Sequence, residues 1–140
     1  MGVRVRVKIA TCGRVVESTA LVNTGFEADE PQILVPHYLL VENNIDIGRL
    51  GKPVVLEYDT AGGPTSMYVY PKACRVSVVE PDRVSREVEA DLVLSLVERE
   101  VLLSDALTEE LGIIILSPRK GLWRFIDDPL DVTRSSRTRA

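Results

Sequence analysis

Few residues in this 140-residue chain are of a type and spacing that could do chemistry. His37 is the only histidine. It follows Pro36 and has no serine or cysteine motif beside it, so a catalytic triad is not expected. One histidine and two distant cysteines, Cys12 and Cys74, do not make a zinc site. No metal and no cofactor is therefore expected. The cysteines read as two small half-buried side chains or as one bridge. Gly62-Gly63 lacks the lysine and hydroxyl residue of a phosphate-binding loop. What is left is Ala20-Leu21-Val22-Asn23-Thr24-Gly25, an apolar strand that ends in turn formers, followed by an acidic loop with Glu27 and Asp29. Taken alone, Asn-Thr-Gly is ordinary turn chemistry.

The elements around that turn are mostly β. Val3, Val5, Val7 and Ile9 alternate with Arg4, Arg6 and Lys8, the period of a half-buried strand. Gly13 absorbs a turn, and Val15 to Val22 returns as the second strand of a hairpin. Ile33-Leu34-Val35 reads as a short buried strand, and Pro36 opens a brief helical turn that ends at Asn43-Asn44. Val54 to Tyr58 and Ser66 to Tyr70 form a second hairpin, with the turn-forming Asp59 to Pro64 at its tip. Cys74 to Val79, Val88 to Leu96, Ile113 to Leu116 and Leu122 to Phe125 are further strands. Ser104 caps a helix running to Leu111, with Asp105 in its first turn and Gly112 as its stop. Many short strands and one good helix indicate an all-β, closed or nearly closed barrel.

Three of these pieces, in order, resemble the retropepsin-like (retroviral-type) aspartic protease family. Leu21-Val22-Asn23-Thr24-Gly25 is similar to the family's apolar-apolar-Asp-Thr/Ser-Gly loop. The hairpin with Gly62-Gly63 lies where the family places its flap. Val101-Leu102-Leu103-Ser104-Asp105, followed by Leu111-Gly112-Ile113, resembles the family's apolar-apolar-Gly strand and following helix, with Ser104 where the family usually has glycine. The resemblance covers Val3 to Phe125. It implies a barrel domain over 1–126 with a C-terminal extension over 127–140. Because the chain carries one such loop, it also implies a homodimer that shares one site. Asn23 stands at the position of the catalytic aspartate, Thr24 at that of the bracing hydroxyl, and Gly25 at that of close backbone approach. Phe26, Glu27, Ala61, Gly62 and Gly63 are the implied peptide-binding residues. Glu27 and Asp29 could equally be a solvated acidic loop.

Two apposed carboxylates share one proton, so that one activates water while the other protects the developing oxygen on the scissile carbonyl. An amide does neither. The chain as written is thus expected to be an aspartic endopeptidase that is inactive, by engineering or by nature. The alternative is a pseudoprotease that binds peptide or protein without cutting it.

The bulk numbers agree with a soluble reading. The net charge is −4, which argues against nucleic acid as the main partner. The tail arginines Arg134, Arg137 and Arg139 are a poor footprint for one, and read as a frayed end. No apolar run approaches the ~20 residues of a membrane span, and no signal peptide is evident, so a cytoplasmic location is expected. Gln32 is the only glutamine and arginine far outnumbers lysine, a thermophile's balance. Trp123 and Phe125 read as barrel or interface packing.

Overall fold

The structure, a computed structural model, describes residues 2–22 and 25–138. Strand β1 (Val3–Thr11) buries Val3, Val5, Val7 and Ile9 and turns the alternate residues outward, as its pattern requires. Cys12 and Gly13 both take positive φ, 51° and 72°. That is the mirror-image two-residue turn whose twist suits a hairpin. It returns the chain as β2 (Arg14–Val22), with Val3 opposite Val22.

The next strands are β3 (Gln32–Pro36), β4 (Val54–Thr60), β5 (Gly63–Val78), β6 (Val88–Ser95) and β7 (Val101–Leu103). Their order is β1-β2-β7-β3-β6-β5-β4, and β5 also pairs with β1. The sheet therefore closes through β1, β2, β7, β3, β6 and β5 into an all-β barrel, and β4 stands outside the ring as the edge partner of β5. Val5, Val7, Ile33, Leu92 and Leu103 fill the interior at 0% exposure. A smaller sheet of β8 (Ile113–Ser117), β9 (Leu122–Phe125) and β10 (Arg134–Ser135) adds Trp123 and Phe125 to the same core.

Three expectations need correction. First, the helix after Ser104, α2 (Asp105–Glu110), is not alone. The segment after Pro36 forms a second short helix, α1 (His37–Glu42), because Leu40 packs into the barrel core. Second, the strands expected at Ser66 to Tyr70 and Cys74 to Val79 are one strand, β5. The register shifts between Tyr70 and Cys74, where Lys72 has φ of 50°. A bulge of this kind takes up the residues around Pro71 and bends the strand without ending it. The tip of the β4–β5 hairpin is correspondingly tighter than Asp59 to Pro64, since Thr60 already pairs with Gly63.

Third, the tail is not frayed over its described residues, 134–138. Arg134 pairs with Trp123 in the small sheet, and Arg137 N donates to Arg4 O at 2.8 Å while Arg4 N donates to Ser136 Oγ at 2.7 Å. The tail so covers backbone groups on β1. Its anchor is electrostatic. Arg134 donates to Asp128 Oδ2 at 2.8 Å and to Asp82 Oδ1 at 2.7 Å, and lies over the Phe125 ring. Arg137 reaches Glu80 at 2.7 Å.

The Arg134 guanidinium holds the Asp128 carboxyl down at about 2, helped by the Phe125 N–H that donates to it. A depressed carboxylate stabilises the fold above its unfolded value, near 3.8, and loses that contribution as pH falls through about 2. Asp128→Asn should therefore lower stability at pH 7 by roughly 1–2 kcal/mol. Chemical denaturation of both forms between pH 7 and pH 1.5 should show the gap narrowing below pH 4. A gap that is constant with pH would show that packing, not charge, holds the tail.

Candidate functional site

The barrel's outer face over β3, β6 and β7 is covered by the β4–β5 hairpin. Strand alternation decides which side chains meet there. Ile33 and Val35 point into the barrel, so Gln32 and Leu34 point out. Leu92 and Leu94 point in, so Asp91 and Val93 point out. Phe26, Leu34, Met67, Val69 and Val93 make a second apolar cluster under the hairpin, with Tyr58 and Leu102 against it. The Phe26 and Tyr58 rings meet edge to face at 6.2 Å.

A polar clasp joins the hairpin to the barrel beside this cluster. Tyr58 Oη donates to Gln32 Oε1 at 2.9 Å, and Gln32 Nε2 donates to Asp91 Oδ2 at 3.2 Å. Lys72 N, on the β5 bulge, donates to Asp91 Oδ1 at 2.9 Å. Both carboxylate oxygens of the buried Asp91 are thus satisfied, as burial demands. Burial and, on the same side, the charge of Asp91 push the Tyr58 hydroxyl up, while its bond to Gln32 opposes that shift.

The loop after β2 is held from its far side by the start of α2. Asp105 N donates to Phe26 O at 2.9 Å, and Ala28 N donates to Asp105 Oδ1 at 3.0 Å. Ser104, fully buried, ties the helix to β3. Its Oγ accepts from Leu107 N as the helix cap and from Gln32 N at 3.0 Å, and its own N–H donates to Gln32 O.

Between loop and hairpin lies a cleft of about 970 Å³. This is the size of a small-ligand or peptide site. Gly25, Phe26 and Glu27 line it from the loop, and Ala61 from the hairpin tip. Gly62 and Gly63 do not line it. Asn23 and Thr24 lie outside the described residues. His37, on α1, is not part of the cleft. The sequence reading gave no site role to Tyr58, Gln32, Asp91 or Asp105. A signal for two of them was there: Gln32 and Asp91 each sit in an otherwise apolar buried run, and a polar group in such a run needs a partner.

Both cysteines are free thiols, and both border a second, shallow cavity beside the β1–β2 turn. Burial, with the charge of Asp91, pushes the Cys74 thiol up to about 12. Among the described residues no helix is long and apolar enough to cross a membrane. No family model matches the chain, and no curated protein matches it.

Two outcomes are expected. Tyr58→Phe keeps the ring on Phe26 but removes the donor to Gln32. It should cost about 1 kcal/mol in denaturant unfolding, and hydrogen exchange should quicken in the hairpin strands and not in β1. Unchanged hairpin exchange would remove the clasp from the account. A thiol reagent should modify Cys12 in the native protein and Cys74 only on unfolding, since the thiolate is the reacting form. Equal rates at both would contradict the burial of Cys74.

Proposed function

We propose that this chain is one half of a retropepsin-like aspartic endopeptidase. Two copies would bring their Asn23-Thr24-Gly25 segments together at a two-fold axis, and Asn23 in place of the catalytic aspartate leaves the assembly inactive. The observation that carries the reading is the cleft itself. On a closed all-β barrel, the residues that directly follow position 24 face the tip of a two-stranded hairpin across a cleft of about 970 Å³ whose lining includes Leu34, Met67 and Leu102. The hairpin suits a cover that opens and closes over substrate, because its tip, Ala61 and Gly62, extends past the last strand pair and Ala61 is exposed.

With aspartate at position 23 in both copies, two carboxyl groups would face each other and share a proton. The ionised one would take a proton from water as the water attacks the peptide carbonyl, and the protonated one would donate to the developing oxygen. Each role is typically worth ~10²–10⁴ in rate. Thr24 would brace the two loops, and Gly25 would let the peptide backbone approach. Glu27 would lie along the bound peptide, with Phe26 forming part of the apolar floor. No cofactor is required. A cytoplasmic location and a thermophilic host belong to the same proposal, on the composition alone.

Asn23 itself favours a second reading, a pseudoprotease that holds peptide or protein without cutting. Both readings are tested by Asn23→Asp. The change alters one atom type and little volume, so the variant should fold. It should cleave a mixed peptide library at acidic to mildly acidic pH, read by mass spectrometry, and lose activity as rising pH removes the shared proton. A folded, dimeric Asp form that cuts nothing would leave the binding reading. A monomeric one would defeat the shared dyad.

A further inference from the structure

Carboxylates are distributed unevenly over this molecule. Away from the cleft many are matched to arginines: Glu100 to Arg4, Glu110 to Arg86, Asp82 and Asp128 to Arg134, Asp127 to Arg83, Glu80 to Arg137. Lining the cleft are seven carboxylate residues and a single basic one, Lys72. Glu27, Asp29 and Glu30 come from the loop after β2, and Glu98 from the turn after β6. All four are exposed, and among the described residues none forms an ion pair. Asp91 forms part of the floor. It is 7% exposed, and its two donors are a neutral amide and a backbone N–H, so no cation answers its charge.

Between these acids the surface is apolar, supplied by Leu34, Leu56, Met67 and Leu102. Strand β4 borders the space edge-on, since residues of both pleat faces, Leu56 and Glu57, line it. As the last strand of the sheet, β4 has one backbone edge unpaired. An unpaired edge accepts an extended peptide through its main chain.

We propose that the cleft selects extended peptides in which bulky apolar residues are flanked by lysine or arginine. This rests on the peptide-site reading above and adds a substrate class to it. The apolar side chains fill the space over Leu34 and Met67. The flanking cations meet Asp29 and Glu30 at one end and Glu98 at the other. Like charges repel acidic peptides, so the carboxylates act as much by exclusion as by attraction.

The test uses the Asn23 protein, which binds without cutting. Three fluorescein-labelled octapeptides share a central Leu-Phe pair and differ in their flanks: arginine, glutamine or glutamate. Fluorescence polarisation in 50 mM salt should rank them in that order. The arginine peptide should bind at least about tenfold tighter than the glutamate one, and the gap should shrink in 0.5 M salt as screening shortens the reach of the charges. The double variant Asp29→Asn, Glu98→Gln should reduce the arginine-over-glutamine preference by roughly 2–5-fold per charge. The double variant Glu109→Gln, Asp131→Asn, at exposed positions away from the cleft, should not. Equal loss in both pairs would assign the preference to net charge and overturn the proposal. Equal binding of all three peptides would overturn it too, while leaving the peptide-site reading in place. No binding by any peptide would remove both.

Discussion

Leu34 and Val93 point out of the barrel, yet they are 4% and 0% exposed. Strands β3 and β6 are buried on both faces, and this constraint governs the rest of the molecule. Parallel neighbours with both faces covered read as continuous apolar runs, which is how Ile33-Leu34-Val35 and Leu92-Val93-Leu94 appear in the chain. One face is covered by the barrel's own interior. The other is covered by the β4–β5 hairpin, with Phe26 from the loop after β2. That is why β5 must run unbroken for 16 residues, closing the barrel at one end and carrying a cover at the other. It is also why the bulge at Lys72 falls where one task gives way to the other.

The cover is incomplete, and the cleft follows from that. Near the clasp, Tyr58, Met67 and Val69 seal the outer face. Toward the tip, Ala61 is exposed and the strands outrun the barrel beneath them. The same division separates two kinds of charge. At the small sheet, arginines and carboxylates are matched, partly desolvated and stacked on Trp123 and Phe125. Those pairs hold the tail against β1, and Arg134 holds the Asp128 carboxyl down at about 2. At the cleft, Glu27, Asp29, Glu30 and Glu98 are exposed and left for solvent or for a ligand.

Much of this was legible in the chain because the elements concerned are local. The alternation in Val3–Thr11, the turn at Cys12-Gly13 and the cap at Ser104 each depend on residues within a few positions of one another. The Gly112 stop, with φ of 77°, is the same kind of signal. What could not be read depends on partners far away in sequence. Arg134 finds Asp82 52 positions earlier, so its segment looked like a polar end. Ser66 to Tyr70 and Cys74 to Val79 read as two strands because a bulge is defined by the opposing strand, not by the bulged one. Glu98 and the loop after β2 come to one cleft only once β6 lies beside β3. The residues proposed to bind peptide include Gly62 and Gly63, which their composition marked as a tip; the cleft is met by Ala61 instead.

Position 23 is approached from two sides by structure that does not draw on its side chain. Upstream, Val22 is paired with Leu103 in β7. Downstream, the main chain at Phe26 and Ala28 is bonded to Asp105, next to the Ser104 that caps α2 and grips Gln32. The hydroxyl at position 104 makes two ties at once, accepting from Leu107 N and from Gln32 N, which a glycine there could not. Exchanging an amide for a carboxyl at residue 23 leaves each of those bonds available. Framework and residue 23 are thus separable in this chain: none of these bonds involves the side chain at position 23, so the same anchors are available whether it is an amide or a carboxyl.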